Sequence, residues 1–217
     1  MARPQITLKL ATSLDGKIAL KNGMSEWITS SKSREYGRKL RSKYDAILIG
    51  SNTAVLDNPQ LTTRIDGEND PIRIVFDTNL RISEKSNLVL TAKKVPVWIF
   101  SNVISGNKFE ELSDHGVRII RNSSSSNINL TSAMQLLSEK GVKSLLLEGG
   151  GVLASSFLKI DAVDVIEWFR APLILGGDSR DSISDLGLIS MDFVKRFNRI
   201  QINELGEDTH ETYERII

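Results

Sequence analysis

Cysteine is absent from this chain of 217 residues. Disulfides, thiolate nucleophiles and cysteine-bound zinc are therefore excluded. Histidine is scarce: His115 and His210 stand far apart, without metal-ligand spacing. Each is expected at the surface rather than as a ligand, and no metal site is expected. Charge of one sign is also lacking, since 28 basic residues against 27 acidic ones leave +1. No broad field draws in nucleic acid or a membrane surface. No stretch approaches the roughly 18 consecutive apolar residues of a membrane span. Lys9 and Asp15 interrupt any signal-peptide core near the start. These absences leave a cytoplasmic globular protein as the expectation. With 40% apolar and 25% charged residues the chain can bury an ordinary core, and its length suits one domain.

Periodicity sketches the elements. Ile6, Leu8 and Leu10 alternate with Thr7 and Lys9, which predicts a half-buried strand. Leu14 to Lys17 break it with a turn. Ser30 or Ser31 caps a predicted helix over 32–44. Tyr36, Leu40 and Tyr44 mark one face of that helix; Arg34, Arg38 and Arg41 mark another. Residues 45–50 read as a buried strand, and 72–77, 96–100 and 117–120 as further strands. Ser123–Ser126 reads as a solvated turn. A helix over 131–137 ends near Gly141. A buried strand over 144–148 meets three glycines and an apolar helix over 152–158. Another strand covers 163–169, and alternation at 199–202 and 213–216 predicts a closing hairpin. The fold class is α/β: a mainly parallel central sheet flanked by helices, with an antiparallel C-terminal hairpin. No repeat or long linker appears, so residues 1–217 read as a single domain.

Several segments suit chemistry. Glu148-Gly149-Gly150-Gly151 joins a strand to a helix. Glycine permits a sharp turn and close approach, and a helix start offers free N–H groups and a positive dipole end. Together they suit a dinucleotide pyrophosphate. The run is not G-x-G-x-x-G and lacks the P-loop lysine; the plain alternative is a tight turn with no ligand. Glu148 at the strand's carboxyl end suits a sugar hydroxyl or an amino group, or caps the next helix. Gly50-Ser51-Asn52-Thr53 repeats the arrangement more weakly. Asp57 to Arg64 form a polar, proline-broken loop whose composition favours a surface turn over a binding loop. Trp27 lies in a glycine-flanked loop, placed either to stack on a ring or simply to pack. Arg41 lies on the basic helix face, where a guanidinium suits a phosphate.

Taken in order, six blocks resemble one family. They are Leu8-Lys9-Leu10-Ala11-Thr12-Ser13-Leu14-Asp15-Gly16-Lys17, Ser25-Glu26-Trp27-Ile28-Thr29, Ile49-Gly50-Ser51-Asn52-Thr53, Asp57-Asn58-Pro59-Gln60-Leu61-Thr62-Thr63-Arg64, Pro71-Ile72-Arg73-Ile74-Val75-Phe76-Asp77 and Leu147-Glu148-Gly149-Gly150-Gly151. The series resembles the reductase domain of the bacterial bifunctional riboflavin-biosynthesis deaminase/reductase, from about Arg3 to Ile202. It includes Ala171-Pro172-Leu173-Ile174-Leu175-Gly176-Gly177; the tail after Ile202 matches least clearly.

The resemblance implies a dihydrofolate-reductase-like fold. It implies NADPH-dependent reduction of the ribosyl group of 5-amino-6-(5-phosphoribosylamino)uracil to a ribityl chain. The matching cofactor positions are Ala11, Trp27, Thr53, Asp57, Thr78 and the run Gly150, Gly151, Val152, Leu153, Ala154, Ser155 and Ser156. The matching substrate positions are Ser25, Arg41, Leu61, Arg64 and Glu148, with Arg41 and Arg64 on the phosphate. Lys9, Asp57 and Glu148 are the candidates for polarising the substrate and handling protons. Thr78 and Arg81 are candidate 2′-phosphate contacts. A dimer is implied, with the apolar Ile166 to Ile174 stretch as its candidate interface.

One departure concerns the deaminase. Its H-x-E and P-C-x-x-C zinc ligands are absent, so the deaminase is expected as a separate or excised domain. The first two blocks look more like the bacterial type, which favours the deaminated substrate over the diaminopyrimidinone. A pterin or folate reductase of the same fold would need no phosphate grip. A non-catalytic nucleotide-binding subunit would share the glycine turn without consuming reductant.

Overall fold

The apolar runs become the interior of a sheet. A computed structural model describes residues 2–121 and 127–216; the Ser123–Ser126 turn lies outside the described residues. The elements in chain order are β1 (Gln5–Thr12), β2 (Lys17–Ala19), α1 (Ser31–Arg41), β3 (Ala46–Gly50), α2 (Ser51–Leu56), β4 (Ile72–Phe76), α3 (Asn87–Leu90), β5 (Val97–Ser101), α4 (Asn107–Asp114), β6 (Arg118–Arg121), α5 (Leu130–Glu139), β7 (Ser144–Glu148), α6 (Gly151–Lys159), β8 (Val165–Arg170), β9 (Arg180–Asp181), β10 (Phe197–Leu205) and β11 (Asp208–Arg215). Nine strands form one mixed sheet in the order β10-β11-β8-β1-β7-β3-β4-β5-β6, and β2 pairs with β9. The contacts group the chain into two compact units, Met1–Gln5 with Arg38–Leu146, and Ile6–Gly37 with Leu147–Ile217.

The first unit is built on β3, β4, β5 and β6, each parallel to the next. Parallel strands covered on both faces need continuous apolar sequence. Ala46-Ile47-Leu48-Ile49 supplies it and is fully buried. Ile49, Val75, Ile99, Leu112 and Leu146 share one core. Ser86 and Asn129 cap α3 and α5 through their side chains. Gly141 follows α5 at φ 87, and Val142 N–H returns to Leu137 O at 3.0 Å, as expected of a glycine-terminated helix. The basic helix α1 stops at Arg41, three residues short of its predicted end, and Tyr44 packs on this core from the following turn.

In the second unit β1 and β8 run parallel, with Lys9 opposite Glu167 and Ala11 opposite Phe169. The half-buried expectation for β1 is corrected. Thr7 and Thr12 are buried together with Ile6, Leu8 and Leu10, because an interior strand carries both parities inside. Thr12 Oγ1 also accepts from Trp168 Nε1 at 2.8 Å. His210 is corrected too: it is 1% exposed. Strand β11 pairs antiparallel with β8 and sets His210 opposite Phe169, whose ring it stacks on at 4.5 Å. Its Nε2 lies 2.6 Å from Glu167 Oε2, so a carboxylate satisfies the buried imidazole.

The predicted hairpin is present as β10 and β11. Because β8 is paired on both edges, with Ile166 and Phe169 buried, 166–170 offers no open edge to a second copy. One edge of the sheet is β10, where Ile200 and Ile202 are exposed, as are Met191 and Phe193 just before it; the other is β6. Among the described residues no helix is long and apolar enough to cross a membrane, and no group of histidine, aspartate and glutamate side chains could hold a metal ion.

Candidate active site

The candidate residues fall into two sets, one in each unit. In the second unit Glu148 ends β7 half-buried, and the triglycine follows. Gly150 caps α6 at φ −75 and ψ 167, without a side-chain hydrogen bond. None of the three glycines adopts a left-handed φ, so sharp turning is not what requires them. Space is. A Cβ on Gly151 would lie 2.5 Å from Asp181 O and 2.9 Å from Ser184 Oγ. A Cβ on Gly150 would meet nothing within 4 Å. Gly151 thus lets the 181–184 segment pack against α6, and Gly151 O accepts from Ser184 N at 3.1 Å. Gly150 leaves the helix start open, which fits an anionic group approaching unpaired N–H donors.

Beyond it Val152 is exposed, Leu153 and Ser156 are half-buried, and Ala154 and Ser155 are buried. The hydroxyls of Ser155 and Ser156 donate to Val152 O at 3.1 and 2.7 Å. On β1, Lys9 and Ala11 are the partly exposed positions, and Lys9 Nζ lies 5.6 Å from the Phe169 ring centroid. Ser25 is exposed. Trp27 is 70% exposed, not packed, and its backbone is left-handed at φ 67.

Two of the quoted blocks meet in the same unit through Asp15. Its carboxylate accepts from Ser13 Oγ at 2.6 Å, Leu175 N at 3.1 Å and Gly176 N at 2.8 Å. The Ser13 hydroxyl, with the two amides, holds the carboxyl down at about 2, against an ordinary 3.8. This aspartate is a tie between the turn after β1 and the 173–177 segment. A carboxyl lowered on folding stabilises above its unfolded value and loses that contribution as pH falls through its folded value. The melting-temperature gap between wild type and Asp15→Asn is therefore expected to be full at neutral pH. It closes between about 3.8 and about 2. A gap that persists unchanged through that window would remove the ionic tie.

In the first unit α2 starts at Gly50, again without a side-chain cap. Thr53 lies on it half-buried, and Asp57 closes it, exposed, with its N–H on Thr53 O at 3.1 Å. Arg81 Nη1 donates to Asn52 Oδ1 at 2.7 Å. Thr78 is half-buried, and its carbonyl accepts from Asn102 N at 3.0 Å and Ser101 Oγ at 2.9 Å.

The loop from Asp57 to Arg64 exposes Asp57, Asn58, Gln60 and Arg64, as its composition favours, but buries Leu61 and Thr63. Asn58, Leu61 and Arg64 have φ of 41, 55 and 54, each in the sparsely populated left-handed region. The Leu61 side chain sits in the core at 2% exposure, so only its backbone can meet a ligand. Asn87 N and Nδ2 clasp Asn58 at 2.8 and 2.7 Å. Thr63 N donates to Asp70 Oδ1 at 2.7 Å, and Arg73 Nη1 to Gln60 O at 3.1 Å. Arg41 Nη1 donates to Thr62 O at 2.9 Å. Arg41 and exposed Arg64 are thereby brought to one pinned loop. Left-handed backbone persists only where its surroundings fix it, and such strain gathers at functional sites.

Sequence reasoning missed Arg73, the anchor of this loop. It also missed Arg34 and Asp208, which brace the Trp27 segment. Their signals lie in tertiary contacts, not in local pattern.

The sequence matches the family model described as RibD C-terminal domain over residues 4–210. It is 36% identical over 208 residues to the riboflavin biosynthesis protein RibD of Bacillus amyloliquefaciens, covering 94% of this chain and 56% of that protein. The Aquifex aeolicus RibD is also 36% identical, with 95% and 56% covered. The chain thus spans just over half the length of these curated relatives. Among solved structures, Acinetobacter baumannii RibD superimposes with a TM-score of 0.85 at 26% identity, covering 99% of this chain and 59% of that one. The Thermotoga maritima diaminohydroxyphosphoribosylaminopyrimidine deaminase/5-amino-6-(5-phosphoribosylamino)uracil reductase gives 0.82 at 28% identity, with 99% and 57% covered. With its dihydrofolate-reductase-like mixed sheet and a match across nearly its whole length, the chain belongs to the RibD C-terminal domain family.

Proposed function

We propose that residues 1–217 act as one reductase domain that uses NADPH to convert the ribosyl group of 5-amino-6-(5-phosphoribosylamino)uracil to the ribityl form. The observation that carries this reading is the open helix start at Gly150, where a missing Cβ leaves room for an anion. NADPH, when bound, supplies the hydride. Gly150 and the first turn of α6 hold its pyrophosphate; Ala11, Trp27, Thr53, Asp57 and Thr78 contribute further contacts, and Thr78 with Arg81 reads the 2′-phosphate.

The chain's own residues do the rest. Arg41 and Arg64 grip the substrate phosphate, Ser25 and the Leu61 backbone line the pyrimidine and sugar, and Glu148 holds a sugar hydroxyl or amino group. Lys9, Asp57 and Glu148 polarise the sugar carbon and deliver the proton that balances hydride addition. Positioning is the main catalytic contribution, so neither a nucleophile nor a metal is called for. The work is cytoplasmic, and the deamination that prepares this substrate belongs to a separate or adjoining domain.

Following NADPH absorbance with deaminated and diamino substrates side by side tests the reading. Faster turnover of the deaminated compound, and of NADPH over NADH, is expected. Cofactor binding without turnover on either pyrimidine would overturn it in favour of a nucleotide-binding subunit. Turnover on a pterin or folate alone would overturn it in favour of another reductase.

The protein works as a homodimer in this proposal. The exposed β10 edge supports an interface there, since Ile200, Ile202, Met191 and Phe193 leave apolar surface in water. Ile202→Lys is expected to shift the protein to monomer on sizing chromatography with the fold intact. An unchanged elution volume would move the interface elsewhere.

A further inference from the structure

Trp27 is an unusual residue to leave in water. It is 70% exposed and left-handed at φ 67. Left-handed backbone is unfavourable for a residue that bears a Cβ, so other groups must hold it there. Four contacts on Trp27 and the residues after it come from the same unit. The Arg34 guanidinium carbon lies over the indole, 4.3 Å from its centroid. The same guanidinium donates through Nη1 to Thr29 O at 2.5 Å. One residue further, Ser30 N donates to Asp208 Oδ2 at 2.7 Å and Ser30 Oγ to Leu205 O at 3.2 Å.

The strap from Trp27 to Ser30 is therefore pinned from two sides, by α1 and by the turn between β10 and β11. That turn is packed closely: a Cβ on Gly206 would lie 3.3 Å from Lys32 Cδ. Asp208 is 2% exposed and sits at the start of α1, where a carboxylate is favoured by the helix dipole. With a cation over one ring face and most of the residue exposed, the face left over is a flat apolar surface open to a planar ring.

We propose that Arg34 and Asp208 are positioning residues which hold Trp27 ready as a stacking platform for a ring of the dinucleotide. The inference rests on the reading above, in which Trp27 contacts the cofactor, and adds what makes that contact preformed. Neither residue touches the ligand. Each acts through the tryptophan, lowering the ordering cost of binding.

The test measures NADPH dissociation constants by calorimetry on the full chain, with acrylamide quenching of tryptophan fluorescence in the ligand-free protein. Trp27→Ala is expected to weaken binding about tenfold, the scale of losing one stacked ring. Arg34→Gln and Asp208→Ala are each expected to weaken it about threefold, the scale of one exposed cation–π contact, with kcat at saturating cofactor held. Asp208→Asn keeps an acceptor for Ser30 N–H and restores affinity. In the Trp27→Ala background neither Arg34→Gln nor Asp208→Ala adds anything. Arg34→Gln also increases quenching, because a released indole is more accessible.

Additive effects in the double variants would overturn the positioning role and leave a purely structural one. Unchanged quenching and affinity in Arg34→Gln, beside a weakened Trp27→Ala, would overturn the clamp alone. Increased quenching in Arg34→Gln with unchanged affinity in Trp27→Ala would overturn the cofactor contact itself, and the inference with it.

Discussion

Arg73→Met is expected to lower the unfolding free energy by about 3 kcal/mol and to raise the KM for the phosphorylated substrate. The first effect follows from where the guanidinium sits. Arg73 is wholly buried, and burial pulls its pKa down to about 10, which still leaves it charged at neutral pH. Nη1 donates to Thr91 Oγ1 at 2.7 Å and Gln60 O at 3.1 Å. Nη2 donates to Val95 O at 2.5 Å and Thr91 O at 3.2 Å.

Methionine fills similar apolar volume and removes the cost of the buried charge, which lessens the penalty. It strands the carbonyls of Gln60, Thr91 and Val95, each of which then loses a donor at about 1–3 kcal/mol before relaxation. The second loss exceeds the first, because three carbonyls and the Thr91 hydroxyl lose their donor at once. The KM effect follows because Gln60 lies in the pinned loop beside Leu61 and Arg64. Lysine recovers little, since a single ammonium cannot serve both carbonyl sets as a planar fork does. Chemical denaturation with KM measured on the same samples checks both claims. A stability change within 1 kcal/mol would show that the network is incidental.

Arg73 also shows where sequence reading stops. Strands β3 and β7 are legible because buried parallel strands are written as near-continuous apolar runs. In Ile72-Arg73-Ile74 a charge interrupts the run, and no local pattern shows that it is buried, since its partners at 60, 91 and 95 exist only after folding. His210 misleads in the same way. The inner face of β11 carries Asp208, His210 and Thr212, so alternation alone gives it the look of an outer face.

Within the candidate site, the glycines at 150 and 151 were legible as glycines. Their separate reasons were not, because the backbone that excludes a Cβ at Gly151 lies 30 residues downstream at Asp181. Trp27 and Arg34 stand seven apart with an irregular strap between them, a spacing that no helix or strand rule connects. The loop at 57–64 announced its polarity and hid its rigidity, which comes from Arg41, Asp70, Arg73 and Asn87.

That rigidity sharpens the expectation for Arg64. Arg64→Ala is expected to weaken the phosphorylated substrate by about 1.5–3 kcal/mol, the scale of a hydrogen bond to a charged group, and to leave the melting temperature within about 1 °C of wild type. Arg64 is exposed, so little packing is lost. Its backbone is left-handed at φ 54, and alanine bears the same strain as arginine there, so the loop should hold its shape. Arg41→Ala is less clean. Arg41 Nη1 also props Thr62 O, and its loss should lower stability together with affinity.

The contrast separates a group that grips from one that both grips and supports. Measuring each variant with the phosphorylated substrate and with its dephosphorylated counterpart completes the cycle. The Arg64→Ala penalty should vanish on the dephosphorylated compound, whereas part of the Arg41→Ala penalty should remain. A guanidinium reading phosphate must show that dependence. An Arg64→Ala penalty equal on both compounds would mean that Arg64 contacts another part of the substrate.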